Sequence, residues 1–374
     1  MSAKVLIIGG GIGGFSTAIA MHQRGISVEI VELHRDWRVY HVGIIVQSNF
    51  VRALAQLGVG KEAVDAGFAY RGWRFLHNDD GRELARDEGV STAGAQYPAD
   101  LGLARPALHH VLLNKVQDLG ILLRQGVTFS SITQGNDAAK VTFTDGSSGT
   151  YDLVVGADGA YSKVREVLFE GKFKPTFTGQ GVWRYNLPRP KDLNWAEAYI
   201  SDPTRSIGTV PLTQETMYIF ISNPEPGNPF FPPETLDVEM RKRLAGRGRR
   251  GEEFADHIID PALVVYRPLE ACVLPSPWYK GRVVLVGDAA HSATPHLGQG
   301  AAMAVEDAIV LAEEYQAAGT LEGRLQKFMD RRFPRAKFIA DNSIQLGKWQ
   351  LNPVPEADPI GVYHRVRKFI GEPI

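Results

Sequence analysis

Short apolar runs that stop at small or acidic residues are the main pattern in this chain. Residues 4–8 are apolar after the first position and end at a glycine cluster, which is typical of a strand buried on both faces of a parallel sheet. A helix is predicted over residues 15–24, ended by Gly25, and residues 28–31 form a second apolar strand that ends at Glu32. The start of the chain therefore predicts a β-α-β unit.

Two more apolar strands end in the same way later in the chain. Residues 151–155 run into Gly156 and then Asp158, and residues 283–286 run into Gly287 and Asp288. Because buried strands of this kind suit one parallel sheet, we expect a ligand to lie across the carboxyl edge of that sheet.

Two other segments, residues 73–99 and about 173–268, have the alternation and the turn residues of antiparallel strands. Tyr218 and Phe220 alternate with aliphatic residues, so one face of their strand is aromatic. The sequence thus predicts a second sheet whose strands come from separated parts of the chain.

Charge and cysteine content narrow the possible functions. The 374 residues include 41 Lys and Arg against 42 Asp and Glu, and this balance argues against a nucleic-acid partner. Cys272 is the only cysteine, which excludes an internal disulfide and fits a reducing compartment. No run approaches the roughly 20 apolar residues of a membrane span. We therefore expect a cytoplasmic enzyme without a membrane partner, as a monomer or homodimer.

The glycine cluster after the first strand carries the first candidate chemistry. Gly9, Gly11 and Gly14 have G-x-G-x-x-G spacing between a strand and a helix, and Glu32 ends the next strand. In such a unit the glycines let the backbone approach a pyrophosphate, and the acid accepts hydrogen bonds from ribose hydroxyls. An adenine dinucleotide is therefore predicted, FAD or NAD rather than NADP. The same spacing at residues 246–251 has no strand before it, and a solvated loop is expected there.

Three segments together resemble one enzyme family. GGGIGG with Glu32, GADGAYSKVR at 156–165 and RVVLVGDAAHSATPHLGQGAAMAVEDA at 282–308 are similar to the hallmark segments of the FAD-dependent aromatic hydroxylases, the family of para-hydroxybenzoate hydroxylase and salicylate hydroxylase. The resemblance extends from residue 4 to about 345. It implies non-covalent FAD with Asp288 on the ribityl chain, and a helix over 300–313 whose N-terminus is directed at the flavin. It also implies a loop against the isoalloxazine that contains Pro295, Gly298, Gln299, Gly300 and Ala301.

The resemblance adds further cofactor contacts. Arg105 begins a segment similar to the family's R-x-x-L, whose arginine meets the FAD. Where relatives commonly have an arginine and Gly-Ala-Gly, this chain has Arg38 one residue out of register and His41 in place of a glycine. That difference indicates either a restricted movement of the isoalloxazine or a differently packed loop. The other predicted cofactor contacts are Ile12, Gly13, Leu33, Ile132 and Asp158.

By the same resemblance, the chain is expected to hydroxylate a small aromatic or heteroaromatic substrate with molecular oxygen through a flavin hydroperoxide. The chain has a single dinucleotide motif in full context, so no separate nicotinamide domain is predicted, and the resemblance implies that NADH or NADPH visits transiently. A flat substrate needs aromatic walls, and an arginine there suits a carboxylate or phenolate. The predicted pocket residues are Arg184, Thr209, Tyr218, Phe220 and Pro295.

The predicted fold class is α/β, a FAD-binding Rossmann-like parallel sheet with an inserted, mostly antiparallel substrate domain. The FAD-binding part is expected in residues 1–72, 100–172 and 269–345, and the substrate domain in 73–99 and 173–268. Residues 346–374 are expected to form a C-terminal tail packed on the surface.

Other functions stay possible on the sequence alone. A FAD oxidase or dehydrogenase would share the fold, and WRYNLP at 183–188 is faintly similar to a tryptophan-rich motif of flavin halogenases. A non-catalytic carrier with a FAD fold would have lost the flavin loop, which this chain keeps. His291 and His296 lack a third ligand at suitable spacing, so no metal is expected.

Overall fold

The computed structural model describes residues 4–37, 39–200 and 206–374. Its strands alternate with helices at both ends of the chain and follow one another through the middle. In chain order the strands are β1 (Lys4–Ile8), β2 (Ser27–Glu32), β3 (Gly43–Val46), β4 (Phe68–Tyr70), β5 (Gly72–His77), β6 (Glu83–Glu88), β7 (Asp100–Ala104), β8 (Leu122–Gln125), β9 (Phe129–Gln134), β10 (Ala139–Phe143), β11 (Ser148–Tyr151), β12 (Leu153–Gly156), β13 (Thr176–Pro188), β14 (Ala196–Ile200), β15 (Ile207–Pro211), β16 (Thr216–Pro224), β17 (Val265–Val273), β18 (Tyr279–Lys280) and β19 (Val283–Leu285).

The longest helices lie in the last quarter of the chain. Short 3₁₀ turns occur as well, including one over Pro295–Leu297. In chain order the helices are α1 (Ile12–His22), α2 (Ser48–Gln56), α3 (Gly60–Asp65), α4 (Arg105–Asp118), α5 (Lys163–Leu168), α6 (Leu236–Leu244), α7 (Gly248–Ala255), α8 (Asp288–His291), α9 (Gly300–Gln316), α10 (Leu321–Leu351) and α11 (Pro359–Gly371).

The apolar strands form the predicted parallel sheet. Within the described ranges its order is β18-β19-β12-β1-β2-β8, parallel throughout except for β18 at one edge. Consecutive residues Val5, Leu6 and Ile7 are fully buried because both faces of the sheet are covered. The carboxyl ends of β1, β12 and β19 therefore lie side by side, as the pattern of strand ends predicts.

The antiparallel segments form a second sheet. Among the described residues its order is β17-β13-β16-β15-β14-β5-β6, and it joins two separated parts of the chain where β14 pairs in parallel with β5. Its other neighbouring strands pair antiparallel. Met217 and Ile219 of β16 pack with α6 and α7 on one face, whereas Tyr218 and Phe220 lie on the opposite face. Two smaller sheets have the orders β11-β10-β9 and β3-β7-β4.

Two local expectations are corrected by the structure. Residues 246–251 do not form a solvated loop, because α7 begins at Gly248 and the Arg247 side chain is buried. Its guanidinium donates to the carbonyl oxygen of Ser206 at 2.7 Å. Helix α1 begins at Ile12 rather than at residue 15, since the helix starts directly after the glycine turn.

The end of the chain is also different from the expected surface tail. Helix α11 buries Val362, Val366 and Ile370, and its residue Tyr363 packs against the aromatic face of the second sheet. The apolar positions recur at helical spacing, which explains why this segment packs into the molecule.

Candidate active site

A cavity of about 570 Å³ lies between the carboxyl edge of the parallel sheet and the aromatic face of the second sheet. Its wall is formed by the glycine turn before α1, the loop between β19 and α9, strands of the second sheet and helix α11. Binding sites at the carboxyl edge of parallel sheets are the rule in α/β folds. The predicted site residues that line it are Gly11, Ile12, Gly13, Arg105, Arg184, Tyr218, Phe220, Asp288, Pro295, Gly298, Gln299, Gly300 and Ala301.

The glycine turn forms one end of this cavity. Gly9 has φ +113°, and a Cβ there would lie 2.4 Å from the Ala157 carbonyl oxygen, so only glycine fits. A Cβ at Gly11 would meet nothing within 4 Å, which leaves room for a ligand directly at the N-terminus of α1. Free amides at a helix N-terminus favour an anion such as a pyrophosphate.

Glu32 braces this turn from the second strand. One carboxylate oxygen accepts from the Gly10 amide at 2.7 Å, and the other accepts from the His34 amide at 2.9 Å. Each oxygen keeps capacity for a further donor. Leu33 follows it and is more than half exposed, outside the residues that line the cavity.

A buried histidine, His109, contacts the backbone of the glycine turn. A ring nitrogen of His109 in α4 lies 3.1 Å from the Gly10 carbonyl oxygen, and the ring packs 4.6 Å from that of Trp37 and 5.1 Å from that of Phe15. Burial lowers the pKa of His109, so the ring is neutral at physiological pH. The ring contacts the backbone of the glycine turn and is also one of the residues that line the cavity.

The loop after β19 forms the middle of the cavity. The Asp288 carboxylate is exposed to the cavity and has no hydrogen-bond or ionic partner among the described residues. After the 3₁₀ turn over Pro295–Leu297, Gly298 adopts φ +65° and α9 begins at Gly300. The first amides of α9 have no acceptor within the helix and face the same space. The cavity is thus lined by the Asp288 carboxylate and by the N-termini of α1 and α9.

A buried charged network holds this loop in place. Asn49 of α2 donates to the Gln299 side chain and to Glu306, each at 2.9 Å. Glu306 also pairs with Arg332 and Arg335 of α10, both at 2.8 Å. Although burial by itself would raise the pKa of Glu306, the two guanidiniums outweigh it, and the pKa is lowered.

Asp307, the next residue, connects the network to the end of β19. Its carboxylate accepts from the Gly287 amide at 2.9 Å, from Arg332 at 2.8 Å and from a ring nitrogen of His291 at 2.6 Å. Burial would raise its pKa, but His291 and Arg332 lower it to about 2. Sequence reasoning quoted Glu306 and Asp307 without assigning them a role. Two adjacent acids with apolar residues on both sides were the pattern that could have indicated buried partners.

Strands of the second sheet form the aromatic wall. The Tyr218 ring lies against Gly43, where a Cβ would come within 2.3 Å of it, and the Phe220 ring lies over Gly208, where a Cβ would come within 2.0 Å. The two rings are stacked at 5.5 Å between centroids. Trp73 and Phe75 of β5 and Tyr363 of α11 extend the same wall, and sequence reasoning had not selected them. No local pattern would have done so, because β5 and α11 meet only in the tertiary structure.

Two arginines give this cavity a positive potential. Neither Arg184 nor Arg105 has a hydrogen-bond or ionic partner for its guanidinium within the part of the chain described. Burial, and then the charge of nearby Arg105, lower the pKa of Arg184 to about 10, so it stays protonated at neutral pH. Because both arginines line the cavity, an anionic ligand there could pair with their guanidiniums.

Several predicted residues lie elsewhere. Thr209 faces away from the cavity and lines a separate space of about 100 Å³ on the helix-covered side of the sheet. This corrects its assignment to the pocket, because its neighbour Gly208 takes the cavity-facing position. Ile132 lies on β9 in a different sheet. Asp158 uses its carboxylate to accept from Ser162 and from the amides of Lys163 and Val164 at the start of α5. Arg38 lies outside the described residues.

The two histidines of the loop have separate environments. His291 binds Asp307, whereas a ring nitrogen of His296 lies 3.0 Å from the Gln350 side chain. Burial lowers the pKa of His296 to about 4. The described part of the chain contains no cluster of three or more His, Cys, Asp or Glu side chains suited to a metal ion. It also contains no helix that is long and apolar enough to cross a membrane.

Comparison with known proteins identifies the family. A family model described as FAD binding domain matches residues 2–343. The chain belongs to the FAD-dependent aromatic hydroxylases. It is 32% identical over 360 residues to Bacillus subtilis YetM, to which a FAD-dependent monooxygenase activity is attributed; the match covers 95% of this chain and 96% of YetM. It is 31% identical to the Pseudomonas aeruginosa 2-heptyl-3-hydroxy-4(1H)-quinolone synthase, over 98% of each chain.

The fold of this chain is also similar to that of a solved structure. The structure of Klebsiella pneumoniae HpxO complexed with FAD and uric acid superposes with a TM-score of 0.84, at 22% identity, and covers 99% of this chain and 92% of HpxO. The protein is thus a flavin-dependent monooxygenase with the α/β fold of its family, and FAD is its cofactor.

Three parts of the cavity wall have the chemistry that FAD requires. The open space at Gly11 adjoins the N-terminus of α1, which suits the pyrophosphate. The unpaired Asp288 carboxylate suits the ribityl hydroxyls, and the N-terminus of α9 suits the pyrimidine end of the flavin. These parts follow one another along a single continuous cavity.

Proposed function

We propose that this monooxygenase hydroxylates a flat heteroaromatic substrate that carries an acidic group, and that NADH or NADPH supplies the electrons. The observation that carries the proposal is the unpaired guanidinium of Arg184 in a cavity walled by aromatic rings. A carboxylate, phenolate or enolate would satisfy this guanidinium, and the rings would bind the faces of the substrate. The names of the relatives, a quinolone synthase and a protein complexed with uric acid, agree with a heteroaromatic ring.

In this proposal, one group of residues holds the cofactor and another binds the substrate. FAD, when bound, supplies the redox chemistry, taking electrons from the nicotinamide and passing them to dioxygen. Gly11, Asp288 and the N-terminus of α9 hold the cofactor, while Arg184 and Tyr218 orient the substrate. The Phe220 ring and Pro295 exclude water from the space between them, since water would divert oxygen to peroxide.

Protonation states support binding of an anionic ring. The pKa of Tyr218 is raised by burial, more than nearby Arg184 and Arg105 lower it, so its hydroxyl stays protonated and can donate to a substrate oxygen. Arg184 stays positively charged. The second sheet therefore offers the cavity a cation, Arg184, and a neutral donor, Tyr218.

The test is oxygenation by the purified, FAD-bound protein over a panel of hydroxylated heteroaromatic acids and their neutral analogues. We expect NAD(P)H consumption to accelerate with an acidic ring and the product to contain one atom from labelled dioxygen. A new oxygen that comes from water, or turnover that gives only hydrogen peroxide with every ring, would favour an oxidase instead.

A substitution at Arg184 tests whether this residue binds the acidic group. Arg184→Gln should lower kcat/KM for the acidic ring about thirtyfold, because a charged hydrogen bond of about 2 kcal/mol is lost. Neutral analogues should be affected much less. Arg249→Gln is the control, since Arg249 pairs with Glu253 on the exposed side of α7. Equal losses for acidic and neutral rings would remove Arg184 from the anion site.

A further inference from the structure

One face of helix α10 lines the cavity beside the loop that follows β19. Ile339, Ser343, Leu346 and Gln350 recur at helical spacing along this face, and all four line the cavity. The Ser343 hydroxyl donates to the Thr294 carbonyl oxygen. Gln350, at the end of the helix, is therefore the residue of this face with a side-chain amide that can serve a ligand.

The amide oxygen of Gln350 accepts two hydrogen bonds from the protein. The side-chain nitrogen of Gln180 lies 2.9 Å from it, and Nε2 of His296 lies 3.0 Å from it. Gly347, on the preceding turn of α10, permits this close approach, because a Cβ there would lie 2.9 Å from both the Gln180 amide oxygen and the His296 ring. The amide of Gln350 is thus held by two side chains from other elements.

The orientation of this amide follows from the atoms behind it. The amide oxygen of Gln180 and Nδ1 of His296 are buried and have no hydrogen-bond partner among the described residues. If the Gln350 amide were reversed, Gln180 and His296 would have to accept from it, and the two buried atoms without partners would become N–H donors. Buried N–H groups without an acceptor are rarer in proteins than buried acceptors without a donor. The oxygen of Gln350 therefore faces Gln180 and His296.

The nitrogen of the same amide remains available. Nε2 of Gln350 has no hydrogen-bond partner within the described ranges, and it is not enclosed by protein atoms. A side-chain amide nitrogen carries two hydrogens and can only donate. Because Gln350 belongs to the face of α10 that lines the cavity, this nitrogen is a neutral donor that a ligand in the cavity can reach.

The register of β13 relates this donor to Arg184. Gln180, Val182 and Arg184 alternate along one face of the strand, and Val182 and Arg184 line the cavity. Four residues of strand separate Gln180 from Arg184, about 13 Å between their Cα atoms. Since the side chains of Arg184 and Gln350 take up part of this length, the remainder corresponds to one or two aromatic rings.

We propose that Gln350 is a specificity-determining residue that donates a hydrogen bond from Nε2 to an acceptor atom of the substrate, at the end of the ring system away from its acidic group. The inference rests on the proposed function, because it takes the cavity to be the substrate site. It adds to that function the chemistry of the far end of the substrate, which is an oxo oxygen or another acceptor.

The experiment compares acids of similar shape that carry either an acceptor or a donor opposite the carboxylate. The probes are 6-hydroxynicotinate with 6-aminonicotinate, and 2-hydroxyquinoline-6-carboxylate with 2-aminoquinoline-6-carboxylate, where the hydroxy members present an oxo oxygen in their lactam form. Dissociation constants for the FAD-bound protein are measured at pH 8 from the perturbation of flavin absorbance. The parent protein should bind the oxo member of at least one pair about tenfold more tightly than the amino member.

Gln350→Glu should reverse this preference. Its carboxylate can still accept from Gln180 and His296, but it presents a second acceptor to the ligand in place of the donor. The added charge repels both members of a pair, which carry the same carboxylate, so the ratio of their dissociation constants reports the hydrogen bond. Gln350→Met, which has neither N–H nor oxygen, should abolish the preference.

Gln316→Glu is the matched control. Gln316 is exposed at the end of α9, about 24 Å along the helix from Gly300, and the variant makes the same change of charge. It should leave the ratio of dissociation constants unchanged.

The outcomes that overturn the inference differ from those that overturn the proposed function. No preference in the parent, an unchanged preference in Gln350→Glu, or equal losses for both members of a pair would each show that Gln350 does not donate to the substrate. An altered flavin spectrum in ligand-free Gln350→Glu, with the ligand preference kept, would assign the donor to the flavin and would also overturn it. If the parent binds neither pair, the proposed function fails and the inference fails with it.

Discussion

Asp307→Asn tests whether the buried network beneath the flavin loop stabilises the fold. The carboxylate of Asp307 accepts from the Gly287 amide, from Arg332 and from His291, and all three partners are donors. An asparagine has the same shape, but its amide nitrogen must face a donor in either orientation. If His291 changes tautomer to accept from that nitrogen, the Gly287 amide still loses its acceptor.

The size of the effect follows from the charges that remain. After the substitution, Arg332 and Arg335 share the single carboxylate of Glu306, which leaves one buried positive charge unbalanced. Removing one partner from a buried ion-pair network typically costs about 3–5 kcal/mol of unfolding free energy. The pKa of Asp307, lowered to about 2, means that this stabilisation is fully present at pH 7.

The assay is urea unfolding of the FAD-stripped protein at pH 7, so that cofactor binding does not contribute to the measured stability. Asp341→Asn is the matched control. Asp341 lies on the same helix as Arg332, but its ion pair with Lys337 is about half exposed, and it should cost no more than about 0.5 kcal/mol. If both variants lower the unfolding free energy equally, the buried network does not stabilise the fold as argued.

Two other predictions concern residues of the cavity. His296 has a folded pKa of about 4 and an unfolded pKa near 6.5, so the unfolded state binds more protons between these values and stability falls as pH decreases. From pH 7 to pH 5, the unfolding free energy of the FAD-stripped parent should therefore fall by about 2 kcal/mol more than that of His296→Gln. Urea unfolding at both pH values measures this difference, and equal decreases in the two proteins would contradict the prediction. Asp288→Ala should weaken FAD binding about thirtyfold, or about 2 kcal/mol, by removing a charge-assisted hydrogen bond. Titration of FAD into the stripped protein checks this, with the exposed Asp256→Ala as control, and equal affinities would place Asp288 outside the FAD site.

The cofactor side of the site could be read from the sequence because its physical requirements are local. The glycine turn at Gly9 and Gly11 needs a strand before it and a helix after it, and all of these lie within one short segment. The loop from Asp288 to Gly300 likewise joins a strand to a helix within a few residues. Consecutive residues carry these constraints, so spacing and residue type sufficed to predict the parallel sheet and the family.

The sequence indicated only part of the buried charged network beneath the loop. Glu306 and Asp307 stand in the same segment as the flavin loop, but their partners come from other elements, Asn49 from α2 and Arg332 and Arg335 from α10. A carboxylate in an apolar helix indicates that some partner exists, whereas which one depends on how the helices pack.

The substrate side was decided by tertiary structure. Tyr218 and Phe220 could be assigned to one face by alternation, but the sequence could not show which face lines the cavity. Thr209 illustrates the limit, because a shift of one residue along a strand changes the face, and Gly208 takes the position that lines the cavity. Tyr363 reaches the site only because α11 packs beside β5 and Arg367 pairs with Asp100. Local sequence therefore determined the glycine turn and the loop that we predict to hold the cofactor, and long-range packing determined which side chains form the opposite wall of the cavity.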